Sequence, residues 1–253
     1  MGFTDGLSGK RIERVDLSGT LFRHVDLSDA RLEQVRLTGT KMRGVELGHA
    51  TIDGDVEGVV INGVDVAPLV EAELDRRYPD RAKMRPTDPA GFRAAWDILE
   101  RLWDGTVARA RAMRPELLHE SVDGEWSFIQ TLRHLVFATD AWLGRVILGD
   151  PHPWDPLDLP FDGMGDVPGI PRDRAVRPSL DEVLALRKDR MAMVRRYVDE
   201  LTDERLDADT TPVAEPGWPA SVSYPVRDCL LIILNEEWQH RLYAERDLNA
   251  LEA

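Results

Sequence analysis

Residues 232–247, IILNEEWQHRLYAERD, place acids and a histidine where a packed helix would bury them. Cys229, Ile233, Glu236, His240, Tyr243 and Asp247 follow alternating steps of four and three, the seam spacing of a helix in a bundle. A glutamate and a histidine one turn apart on a core-facing stripe are costly to bury without a partner. A divalent metal would relieve that cost, and His134 is available as a further ligand. Glu237 rivals Glu236 for the acidic position, because spacings of three and four both share a helix face. No Ser/His/Asp triad, phosphate-cradling glycine loop or paired-cysteine motif accompanies these residues. The single cysteine, Cys229, reads as a small buried residue rather than a nucleophile.

The elements that must position this chemistry are helices. Asp88-Pro89 opens a long one, with Phe92, Trp96, Leu99, Trp103, Val107 and Ala110 on one stripe. A second is expected over residues 127–148, stopped by Gly149-Asp150-Pro151. Pro178-Ser179 caps a third, with Leu180, Leu184, Met191, Val194, Val198 and Leu201 inward, and residues 225–251 form the fourth. A shorter amphipathic helix is expected over 67–77 and a helical connector over 115–120. Four long helices with seam-spaced apolar residues predict a four-helix bundle. Two long connections, 149–178 and 207–224, carry Trp154, Phe161, Met164 and Trp218, which favour packing around one end of the bundle, over the metal.

The first fifty residues follow another rule. Leu7, Ile12, Leu17, Phe22, Leu27, Leu32, Leu37, Met42, Leu47 and Ile52 fall at intervals of five, with a small or β-branched residue two places before most of them. Period five is neither the 3.6 of a helix nor the 2.0 of a flat strand. This pattern resembles the pentapeptide-repeat family, which implies a short right-handed quadrilateral β-helix. The phase fails at DGDVEG, residues 53–58, so the domains are read as 1–62 for the repeat and 63–253 for the bundle.

Within the bundle, DGEWSFIQTLRHLVFATDAWLGRVI and NEEWQHRLYAERDL resemble the second and last helices of the DinB-like superfamily. The resemblance implies three metal ligands, typically histidines, one from the second helix and two from the fourth. Residue by residue, His134 matches the first ligand and His240 the last; Glu236 falls where the family usually has a histidine. Two histidines and a carboxylate suit zinc, nickel, iron or manganese. The resemblance further implies thiol-dependent transfer or isomerisation with mycothiol, bacillithiol or glutathione, or metal-dependent hydrolysis, and a homodimer through helix faces. Arg133, Arg241 and Arg246 would meet an anionic substrate or form a solvated face, and His152 is a further site candidate. The alternative function is a catalytically silent, stress-related interaction module that docks through the repeat. The sequence names no catalytic residue.

Composition bounds the rest. The 253 residues are 43% hydrophobic and 31% charged, ordinary for a globular protein. A net charge of −14 argues against broad binding to nucleic acid or anionic lipid. No apolar run approaches the roughly 20 residues that span a bilayer, and the start lacks the apolar core of a signal peptide. With one cysteine, a reducing cytoplasm is the expected location.

Overall fold

A computed structural model describes residues 6–252. The chain divides into two compact units, Met1–Ile52 and Asp53–Ala253.

In the first unit the five-residue period is written into the backbone. Residues 9, 14, 19, 24, 29, 34, 39, 44 and 49 all have positive φ, so every fifth residue is a left-handed corner. Between alternate corners, Lys10, Thr20, Ala30, Thr40 and Ala50 donate to the carbonyls of Leu7, Leu17, Leu27, Leu37 and Leu47. The finer expectation differs. Among the described residues of this unit there is no strand, and Leu17, Leu27, Leu37 and Leu47 are 47–60% exposed rather than enclosed.

The second unit opens with a two-residue antiparallel hairpin, β1 (Val60–Ile61) and β2 (Val64–Asp65). Asn62 and Gly63, both at positive φ, make its turn, a pairing the sequence reading passed over. Helices follow: α1 (Ala67–Arg77), α2 (Pro89–Ala112), α3 (Phe128–Thr139), α4 (Leu180–Asp199), the single turn α5 (Asp203–Leu206) and α6 (Val226–Glu252). The long helices start where their caps dictate. Asp88 accepts from Gly91 N–H, while Ser127 with Gln130 and Ser179 with Glu182 form reciprocal capping boxes. α2, α3, α4 and α6 pack as the expected bundle around two apolar clusters, one centred on Trp96, Leu99, Val194 and Ile233, the other on Trp103, Leu132, Val183 and Leu248. None of the described helices is long and apolar enough to cross a membrane.

The helix read as one run over 127–148 changes pitch. From Asp140 to Ile147 it is a π-helix. A Cβ on Gly144 would lie 2.9 Å from the Pro153 ring, so the following loop packs directly on this backbone. Gly144→Ala should therefore lower the urea midpoint, because about 1–3 kcal/mol of overpacking outweighs the gain of about 1 kcal/mol in helix propensity. An unchanged or higher midpoint would show that the loop gives way freely.

Both long connections are packed. Met164 and Ile170 join Phe137 and Ala141 in a third core, with Trp154, Phe161 and Trp218 against it. Phe137 and Trp218 rings stand 5.5 Å apart, and Phe161 meets Trp218 edge-on at 5.4 Å. The two loops thus meet each other on the α3 surface.

Candidate metal centre

α3 is buried on nearly every face, and His134 lies within it at 5% exposure. Its Nδ1 stands 2.9 Å from the Leu159 carbonyl in the 149–178 loop. A carbonyl only accepts, so Nδ1 carries a proton and Nε2 is the nitrogen the ring presents to the other side. That Nε2 lies 3.3 Å from Glu236 Oε2 on α6. One turn on, His240 Nδ1 is 3.0 Å from the Glu236 main-chain carbonyl and 3.1 Å from the same Oε2. The two imidazole centroids are 4.7 Å apart. One donor atom from each of His134, Glu236 and His240 lies within 4.8 Å of the others.

Donors about 2.1 Å from one tetrahedral ion stand about 3.4 Å apart. The His134–Glu236 separation already has that span, and the widest pair would have to contract. The chemistry of the cluster favours a cation. Neither imidazole approaches Glu236 Oε2 with hydrogen-bond geometry, and this shielded oxygen has no hydrogen-bond partner, although the side chain as a whole is 28% exposed. Burial pushes the Glu236 carboxyl up, and donation or positive charge from the flanking imidazoles holds it down only where their facing nitrogens carry protons; with a bare Nε2 on His134, that role falls to a cation. A shielded, unsatisfied carboxyl oxygen between two imidazoles fits a divalent metal.

The surroundings are aromatic. The half-buried Trp126 ring lies 4.5 Å from His134 and stacks on His240 at 6.0 Å and 20°. Tyr243 meets His240 edge-on at 5.9 Å, and Phe137 stands 6.0 Å from His134. Burial pushes the Tyr243 phenol up, so it stays a hydroxyl donor. Such a shell lowers the local dielectric and strengthens charge interactions inside it.

Several expectations receive corrections. Glu237, the rival acid, is joined to Arg187 of α4 by two hydrogen bonds of 2.6 and 2.7 Å, both side chains being almost wholly buried. That pairing turns it away from the two histidines. His152 is exposed and outside the cluster. The three arginines considered for an anionic substrate are engaged within the protein. Arg133 donates to three main-chain carbonyls, Arg241 to Leu102 O and Thr106 Oγ1, and Arg246 pairs with Glu125 and Asp247. Cys229 is wholly buried, and burial pushes its thiol up to about 12, which leaves it inert.

Some features escaped the sequence reading. Arg187 had a signal, since it falls on the α4 seam between Leu184 and Met191. Trp126 over the imidazoles had none beyond its place before the Ser127 cap. The Leu159 carbonyl has no residue identity to read; its only trace is Pro160, which holds the preceding residue extended.

Fold and site together define a helical bundle carrying a partly buried His–Glu–His cluster between its second and last long helices. The family model of the DinB superfamily matches residues 98–244, more than half of the chain, and the protein belongs to that superfamily. Eight copies of the pentapeptide repeat match residues 12–52. Neither the curated proteins nor the solved structures gave a match.

Proposed function

We propose that this DinB-superfamily protein binds a divalent metal through His134, Glu236 and His240 and uses it for a thiol-dependent transfer or a hydrolysis. The observation that carries the reading is the shielded, unpartnered Glu236 Oε2 between two imidazoles. An ion held by three protein donors keeps open positions, and when bound it lowers the pKa of a water or thiol that takes one. The chain's own residues do the rest. His134 and His240 present nitrogen donors from two helices, Glu236 offsets one positive charge, and Trp126 and Tyr243 shield the donors from bulk water. For the first unit, we infer that stacking closes its repeat into the right-handed quadrilateral β-helix, a reading supported by a left-handed corner at every fifth residue.

Metal analysis of the protein purified without a histidine tag tests the central claim. About one ion per chain is expected, falling to background in His134→Ala/His240→Ala with helical content retained. Equal background metal in both proteins, also after incubation with zinc and desalting, would remove the site.

A further inference from the structure

One turn of α3 grips the 149–178 loop. Gln130 Nε2 donates to Arg174 O at 3.3 Å, and His134 Nδ1 to Leu159 O at 2.9 Å. Between them Arg133, with no exposed surface, donates from Nε to Leu157 O at 2.7 Å, from Nη2 to Asp173 O at 2.8 Å and from Nη1 to Val176 O at 3.0 Å. None of these three partners is a carboxylate. A buried guanidinium with no direct ion pair, its charge met only through space by Asp173 and Asp158, is an expensive way to hold a loop. Its planar fork can, however, fix carbonyls from two stretches of chain at once, which a lysine cannot do. Leu157, held by Arg133, is two residues from Leu159, held by His134. Leu159 also precedes Pro160, so its backbone is restricted to extended conformations and its carbonyl has little freedom once Leu157 is fixed.

The hydrogen bond at one imidazole nitrogen decides which nitrogen is left to bind a metal. We propose that Arg133 is a positioning residue for the centre: by clamping the 157–176 loop it holds the Leu159 carbonyl against His134, keeping the proton on Nδ1 and directing the bare Nε2 toward Glu236. This deepens the metal-binding reading and rests on it for affinity, while the tautomer is a property of the metal-free protein.

The test is nitrogen-15 NMR of the histidine rings in the full, metal-free chain at mildly alkaline pH, with His134 signals assigned by their loss in His134→Asn. In the wild type, Nδ1 should resonate as a protonated nitrogen and Nε2 as a bare one. Arg133→Lys keeps the charge without the fork, and Arg133→Met removes both. Each should move His134 toward a mixture with the Nε2–H form and weaken zinc binding by about 10-fold or more. A wild-type His134 with its proton on Nε2 overturns the proposal even if no variant folds. So does a folded Arg133→Lys protein whose His134 tautomer and zinc affinity match the wild type. If the tautomer behaves as expected but the wild type takes up no zinc, the metal reading fails and the positioning role stands.

Discussion

Arg187→Met is expected to destabilise the bundle by about 3–5 kcal/mol, because it leaves the Glu237 carboxylate buried without its partner. Arg187 and Glu237 side chains are 3% and 2% exposed and share hydrogen bonds of 2.6 and 2.7 Å. Neither can recover water when the other is lost. The guanidinium carbon also lies 5.4 Å from the Trp103 ring centroid, so the pair ties α4 and α6 to α2. Glu237→Leu should cost a similar amount by stranding the arginine. The double variant Arg187→Met/Glu237→Leu removes both charges and should return close to the wild type, since replacing a buried pair by apolar groups is often neutral or better. Urea unfolding of the four proteins, followed by helical circular dichroism, gives the coupling directly. Single variants that each cost under about 1 kcal/mol, or that simply add, would mean the pair is hydrated in solution. The double variant should also take up zinc to the same extent as the wild type, because Glu237 lies outside the donor cluster.

That pair shows what the sequence could and could not reveal. The α4 seam was readable as Leu184, Met191, Val194 and Val198, and the missing step between the first two is Arg187. A charge on one seam opposite an acid on another is a sign of a buried pair, but which of two adjacent glutamates it meets depends on helix rotation. Glu236 and Glu237 are about 100° apart around α6, and only packing assigns one to α4 and the other to the imidazoles. Helix starts were legible because Asp88, Ser127 and Ser179 satisfy open N–H groups by local chemistry. The π-helical tail of the α3 element was not, because no local residue pattern announces the change of pitch, and the packing of Gly144 on Pro153 is a contact between segments. The convergence of His134, Glu236 and His240 was suggested by spacing and resemblance, whereas the Leu159 carbonyl that orients His134 could come only from the folded loop.

The same loop hides a proton that should make stability fall as pH rises. Asp158 has no exposed surface; its Oδ2 accepts from Asp155 N–H at 3.1 Å, and its Oδ1 has no hydrogen-bond partner. Burial first, and then the charge of Asp140, pushes its carboxyl up to about 9. Asp155 adds to the rise and Arg190 opposes it, but Arg190 is already joined to Asp140 by bonds of 2.6 and 3.0 Å. Burial pushes Asp140 up in turn, against the pull of Arg190. Asp158 is therefore neutral in the folded protein at pH 7 and ionised in the unfolded chain, whose carboxyl titrates near 3.8. The sign follows from linkage. Below the unfolded value both states hold the proton and Asp158 carries no penalty. As pH rises toward the folded value, only the folded state holds it, and stability drops by up to about 1.4 kcal/mol per pH unit. Asp158→Asn keeps the shape of the neutral acid and cannot ionise, so its unfolding free energy should slope less between pH 5 and 8. The variant's stability relative to wild type should grow in its favour with each step upward and shrink toward pH 4. Measuring both proteins by urea unfolding at four pH values separates this from any fixed effect of the amide, which would shift the curve without changing its slope. A constant difference across the range would mean that Asp158 is ionised in the folded state. Because Asp158 immediately precedes Leu159, ionising it forces a buried charge into the stretch that orients His134. Alkaline pH should therefore loosen the loop beside the centre before it unfolds the bundle.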